Sequence, residues 1–204
     1  NLRSLTLFAD KTFPSNPKFR PILGGREQEF SDEEILQLEK VHQALAIIQF
    51  KLENQLIKRR PEFQMQDHVM LDKIDYWEES VTIDDTKHPL VNTCFQTINP
   101  ENPSALTPEE NQAVDSMLAS FQSSLKMAEH MSLLMNKGSM YKIYNQHLLF
   151  HGCIPLEPSG EFQPFILNQA HYAGKELLDF FEHHIRQAAK NKEVGDDLST
   201  CLLY

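Results

Sequence analysis

His151 ends the run Asn145-Gln-His-Leu-Leu-Phe-His-Gly-Cys-Ile-Pro155, a short apolar strand pattern closed by an imidazole and a glycine. A histidine at the carboxyl end of a buried strand projects its ring from a rigid element into the crevice beyond a sheet. Gly152 lets chain or substrate approach where a Cβ would block it, so this is where a metal ligand would sit. A lone histidine beside apolar residues is more commonly a hydrogen-bonded core residue, and only the words around it can decide. His147, four residues earlier, would lie about 13 Å away at the usual strand rise and cannot share one metal with His151. Cys153, two residues beyond, reads as packing. Glu39-x-x-His42 has the spacing of one half of a di-iron bundle site, but such sites need a second copy and two further glutamates; His42 therefore reads as packed beside an apolar stripe. His183-His184 reads as a partner of a helix dipole, and Tyr76 and Trp77 read as packing residues.

The elements that must position these groups are mostly helical. After an N-terminal turn or two of helix (Leu2, Leu5, Phe8), the stretch from Pro14 to Gly25 reads as a loop. Ser31 with Glu34 is a capping box. It opens a helix whose apolar positions Ile35, Leu38, Val41, Leu45, Ile48, Leu52 and Leu56 recur every three or four residues until Pro61 stops it. A second capping box, Thr107 with Glu110 and Pro108 at the first helical position, starts another helix that runs to Lys137 and is capped by Gly138. Two long amphipathic helices of similar length are expected to pair. Between them the pattern predicts a short helix near Gln66 to Ile74 and a hairpin near 80–91, joined by Asp85-Thr86-Lys87. Beyond Gly138 it predicts a hairpin over 140–151, turning at Asn145-Gln146, and a helix over 172–191 with Leu177, Leu178, Phe181 and Ile185 facing in.

Composition sets outer bounds. The 204 residues, 41% of them hydrophobic, suffice for the core of one domain or one and a part. A formal charge of -10 argues against nucleic acid or an anionic membrane as the main partner. No apolar run approaches the roughly 20 residues of a membrane span. Three cysteines, without C-x-x-C spacing, fit a reducing cytoplasm better than a disulfide framework.

Several long words carry a resemblance. Lys40 to Glu53, Ile57-Lys-Arg-Arg-Pro61, Asn92 to Pro100, Gly138 to Asn145, Leu148 to Pro155 and Tyr172 to Glu182 together resemble the class 3 fructose-1,6-bisphosphatases of Firmicutes-type bacteria, over nearly the whole chain. That family resembles the calcineurin-like metallophosphatases, whose paired metals are held by Gly-Asp-x-His, Gly-Asp-x-x-Asp-Arg-Gly and Gly-Asn-His runs, an apolar-strand His-Gly and a late Gly-His. Only the His-Gly is present, as His151-Gly152; Gly195-Asp196 continues without the needed His or Arg. Family members are far longer, so the chain reads as an internal fragment that is inert alone. The last residues, Cys201-Leu-Leu-Tyr204, depart from the family pattern.

The resemblance implies a fold that is mostly α with a minor β component: a helical insertion, 1–138, attached to part of an α/β metallophosphatase sheet, 139–204. It implies a binuclear site that generates a metal-bound hydroxide for in-line attack on a sugar bisphosphate, with His151 as one ligand. An imidazole suits manganese, iron or zinc, and the missing aspartates would favour manganese or magnesium; Mn2+ is the family expectation. Lys51, Lys58, Arg59 and Arg60 form the one basic cluster and are candidates for the phosphate that is not cleaved, with Lys58, Arg59 and Arg60 nearest the helix end. Basic residues at a helix C-terminus also serve as ordinary dipole partners. A non-catalytic helical module for regulation or homo-oligomerisation is the competing reading.

Overall fold

A computed structural model describes residues 3–63, 65–167 and 169–191. Leu2, Gly195, Asp196, Cys201 and the departure after Thr200 lie outside the described residues. The chain is mostly α with small antiparallel sheets and divides into two compact units. The first runs through Ser123 and the second begins at Ser124.

Helix α1 spans Arg3–Thr12 and α2 spans Asp32–Arg59. At the start of α2 the capping box is closed on both sides: the Glu34 amide donates to Ser31 Oγ at 3.3 Å and the Ser31 amide donates to Glu34 Oε2 at 2.8 Å. Asp32, Glu33 and Glu34 occupy its first turn and Lys58 and Arg59 its last, each sign at the favourable end of the dipole. Helix α3, Pro108–Gln122, opens on the second box, with the Thr107 amide donating to Glu110 Oε2 at 2.8 Å.

The helix expected to reach Lys137 breaks after Gln122. Ser123 caps α3, and Ser124 starts α4, Leu125–Lys137, as its N-cap, its hydroxyl accepting from the Met127 amide at 3.2 Å. Two successive serines offer the backbone local partners that compete with the helix ladder. The expected pairing of two long helices changes accordingly, because α2 runs beside α1, and α1 also lies against α3. Leu5, Phe8, Ala9 and Phe13 meet Val41, Ala44, Ile47 and Ile48, with Cys94 and Ala113 closing the core. Burial pushes the Cys94 thiol up to about 11.

Lys51 and Glu110 are both fully buried and paired at 2.7 Å, which removes Lys51 from the expected surface cluster. Lys51 Nζ also donates to the Thr97 carbonyl at 2.8 Å, and Thr97 Oγ1 donates to Glu110 Oε1 at 2.6 Å. Burial of two charges is tolerated because each carries further hydrogen bonds.

The segment expected to be a short helix forms 3-10 turns at Gln66–His68 and Leu71–Lys73. Strands β1 (Ile74–Asp75), β2 (Ser80–Ile83) and β3 (Thr86–Pro89) follow as an antiparallel sheet. Its hairpin turns on two residues, Asp84 and Asp85, both at positive φ, rather than on the expected Asp85-Thr86-Lys87. Short acidic side chains tolerate that conformation, so Thr86 and Lys87 are freed to join β3. Tyr76 packs edge-on to Phe95 and donates to the Leu71 carbonyl, whereas Trp77, expected to pack, is 91% exposed on the turn.

In the second unit, β4 (Tyr141–Tyr144) and β5 (His147–Phe150) pair antiparallel, with Tyr141 opposite Phe150 and Tyr144 opposite His147. Asn145 and Gln146 both take positive φ, matching the two-residue turn expected there. A further hairpin that the periodicity did not reveal joins β6 (Phe165–Leu167) to β7 (Ala170–Tyr172). Tyr172 therefore belongs to a strand, and the last helix, α5, spans Gly174–Asn191. Phe165, Tyr172, Phe180, Phe181 and His184 form its aromatic contacts. Every strand pairing among the described residues is antiparallel.

Candidate functional site

The β4–β5 hairpin delivers His151 to the first position beyond β5, as the apolar run predicts. The expected burial of that strand is not seen. Leu148, Leu149 and Phe150 are 46%, 54% and 43% exposed, and His147 is exposed with them. His151 is itself exposed, and among the described residues no hydrogen bond or ion pair ties up its ring. Gly152 takes φ 84° and has nothing within 4 Å of where a Cβ would stand. The imidazole is thus open to an incoming group. Cys153, expected to be a packed thiol, is exposed.

The base of this hairpin is anchored by α5. Glu182 Oε2 accepts from the Met140 amide at 3.0 Å and lies 2.9 Å from the Ser139 hydroxyl. Its other oxygen accepts from Arg186 Nη2 at 2.9 Å, and Arg186 Nη2 also donates to the Gly138 carbonyl at 2.6 Å. Arg186 Nη1 donates to the Met135 carbonyl, so the guanidinium ties up carbonyls at the end of α4. Tyr141 Oη donates to Asp179 Oδ1 at 3.0 Å, and the Lys175 ammonium stands 5.6 Å over the Tyr141 ring. The Met140 amide, followed by Ser139 and Arg186, holds the Glu182 carboxyl below the usual carboxylate range against the opposing effect of burial. Gly138 is required at this junction: its amide bonds the Leu134 carbonyl, and a Cβ would stand 2.5 Å from that oxygen.

The other residues singled out in the sequence fall elsewhere. His42 Nδ1 stands 3.0 Å from the Phe19 carbonyl, while Glu39 accepts from Ser15 Oγ at 2.7 Å and from Arg20 Nε at 2.9 Å. These two side chains face different partners and share no ligand geometry. His184 bonds the Phe180 carbonyl within its own helix and meets the His183 ring edge-on. Lys58 pairs with Asp72 at 2.7 Å and Arg60 with Glu62 at 2.5 Å; Arg59 is exposed on the same turn. A phosphate at this helix end would compete with those carboxylates for the same donors.

Among the described residues no group of three His, Cys, Asp or Glu side chains stands together to hold a metal. The chemistry of His151 fits one place in a metal's coordination shell, with the remaining donors supplied from elsewhere. Sequence reasoning missed the α5 row of Asp179, Glu182 and Arg186. Its signal was the i,i+4 spacing of Glu182 and Arg186, which is common on exposed helix faces and draws no notice alone.

The comparisons with known proteins give the family of the chain. The chain belongs to the Firmicute fructose-1,6-bisphosphatase family, whose model matches residues 1–204. It is 94% identical over its full length to the class 3 fructose-1,6-bisphosphatase of Streptococcus sanguinis, 79% to that of Streptococcus gordonii and 46% to that of Oceanobacillus iheyensis. The chain spans 32% of the length of each of these bacterial relatives. No solved structure matches it. No helix among the described residues is long and apolar enough to cross a membrane.

Proposed function

We propose that this chain is part of a class 3 fructose-1,6-bisphosphatase that removes the 1-phosphate of fructose 1,6-bisphosphate in the cytoplasm, in the gluconeogenic direction of carbohydrate metabolism, and that His151 is one of its metal ligands. The observation that carries this reading is the open imidazole of His151 at the end of β5, beside a glycine with free space around it. His151 would hold a metal, manganese by family expectation, which would supply Lewis-acid polarisation of the phosphoryl group and a nucleophile at neutral pH. His151 supplies a neutral nitrogen donor held by the strand, and Gly152 leaves room for substrate. Lys58, Arg59 and Arg60 are the cationic candidates for the second phosphate. The division into a helical insertion, 1–138, and a metallophosphatase portion, 139–204, belongs to the same reading. With one ligand of several, the chain alone is inert.

The test is His151→Asn in the full-length enzyme. As a ligand, the substitution lowers kcat and manganese affinity by more than the roughly 10 to 100-fold typical of residues behind the ligands, while the metal-free thermal midpoint stays in place. Lowered metal-free stability with activity tracking the folded fraction would return His151 to a structural role.

A second reading has its own observation. Leu125, Leu133 and Leu134 of α4 are 82%, 60% and 56% exposed, a surface suited to assembly of like chains. A monomeric mass for the chain in size exclusion would discard it.

A further inference from the structure

We infer that Glu182 is a positioning residue for His151, acting through the base of the β4–β5 hairpin; this rests on the reading of His151 as a metal ligand. A two-stranded hairpin is marginally stable alone, and every position of β4–β5 except the half-buried Tyr141 is exposed. The hairpin therefore cannot fix the place of the residue that follows it by its own packing. What fixes it lies at the base. The last pair of the ladder is Tyr141 with Phe150, and His151 is the next residue along. The chain entering Tyr141 is clamped on α5 through the Met140 amide and the Ser139 hydroxyl on Glu182, and Tyr141 itself through its hydroxyl on Asp179. Glu182 holds two things at once, since its second oxygen orients Arg186 onto the carbonyls of Met135 and Gly138. One carboxylate thus ties the end of α4, the start of β4 and the face of α5 into a single junction. That junction stands across the ladder from the ligand, and displacement of a ligand by about 1 Å is enough to cost orders of magnitude in chemistry. Glu182 has no need to touch metal or substrate to act in this way.

The experiment measures Mn2+ binding to the metal-free full-length enzyme, by loss of the free-ion paramagnetic resonance signal, alongside the metal-free thermal midpoint. Glu182→Ala, Glu182→Gln, Tyr141→Phe and His151→Asn are compared. Glu182→Ala is expected to weaken manganese binding roughly 10 to 100-fold, with Glu182→Gln partly rescued because its amide oxygen still accepts from Met140. Tyr141→Phe loses one anchor of several and weakens binding a few-fold, and it serves if Glu182→Ala does not fold. A lowered midpoint with unchanged manganese affinity makes Glu182 merely structural and overturns the inference. If His151→Asn abolishes binding while the Glu182 and Tyr141 variants bind normally, positioning is wrong and the ligand reading stands. If His151→Asn also binds normally, both fall.

Discussion

The two compact units solve the same problem unequally. Up to Ser123, α1, α2 and α3 surround a shared apolar core and even enclose an ion pair. From Ser124 onward, α4 buries no residue, and Leu177 is the one buried hydrophobic side chain among the described residues. The second unit is held by the half-buried aromatic rings of Phe165, Tyr172, Phe180 and Phe181 and at polar junctions: Glu182 and Arg186 at the end of α4, and Asp179 at Tyr141. A segment whose apolar residues are left in solvent gains little from packing, so its hydrogen bonds carry more of its order. The chain spans about a third of the length of its relatives, and within it the two units differ in how much apolar surface they bury.

The comparison breaks most visibly at the buried pair. Glu110→Ala strands the Lys51 ammonium in the core and should cost about 3 to 5 kcal/mol in chemical denaturation. Lys51→Met with Glu110→Leu should recover most of it, and a double variant as unstable as the single one would show that packing, not charge, is responsible. A second contrast is between aliphatic residues of the two units. Ile48→Ala, in the core, should cost about 2 to 5 kcal/mol, whereas Leu149→Ala, half exposed on β5, should stay within about 0.5 kcal/mol. Similar losses at both sites would erase the distinction.

Acid should separate the units next. The Ser15 hydroxyl, ahead of Arg20, holds the Glu39 carboxyl low against its burial, as the Met140 amide does for Glu182. A lowered folded value means that each contact contributes fully above the ordinary carboxylate pKa of about 4.3 and is lost as pH falls through the lower folded value. Amide spectra on acid titration should show Glu39→Gln removing part of this acid dependence only in the first unit and Glu182→Gln only in the second. The smallest effect is at the end of α2. Arg59→Ala with Arg60→Ala should shift stability by no more than about 1 kcal/mol, since the Arg60 pair with Glu62 is partly solvated. In the full-length enzyme the same change should raise KM for fructose 1,6-bisphosphate more than for a monophosphate; equal changes would return these arginines to surface charge.

Much of this architecture could be read from the chain because its signals are local. Both capping boxes, the stop at Pro61, the Asn145-Gln146 turn and the place of His151 depend on a few adjacent residues. What could not be read depends on partners distant in sequence. Ser123-Ser124 would be tolerated in a helix whose neighbours held it straight, and nothing nearby signals that they do not. Lys51 looks like its neighbours Lys58 and Arg59 until Glu110 is placed against it. Leu148 to Phe150 read as a buried strand because apolar residues ordinarily are, and nothing in these residues themselves signals their exposure. Glu182 gave no hint of its role, since its contacts with Ser139 and Met140 cross more than forty residues of chain.

Glu110 makes two parts of the first unit depend on one side chain. The same carboxylate closes the start of its own helix on Thr107 and answers Lys51, 59 residues earlier. A cap is ordinarily a local nucleus, available to a helix before it meets anything else. Here the local nucleus and the distant contact are one group, so the start of α3 and the buried charge of α2 depend on the same side chain. Loss of this one carboxylate therefore removes both the cap of α3 and the counter-charge of Lys51.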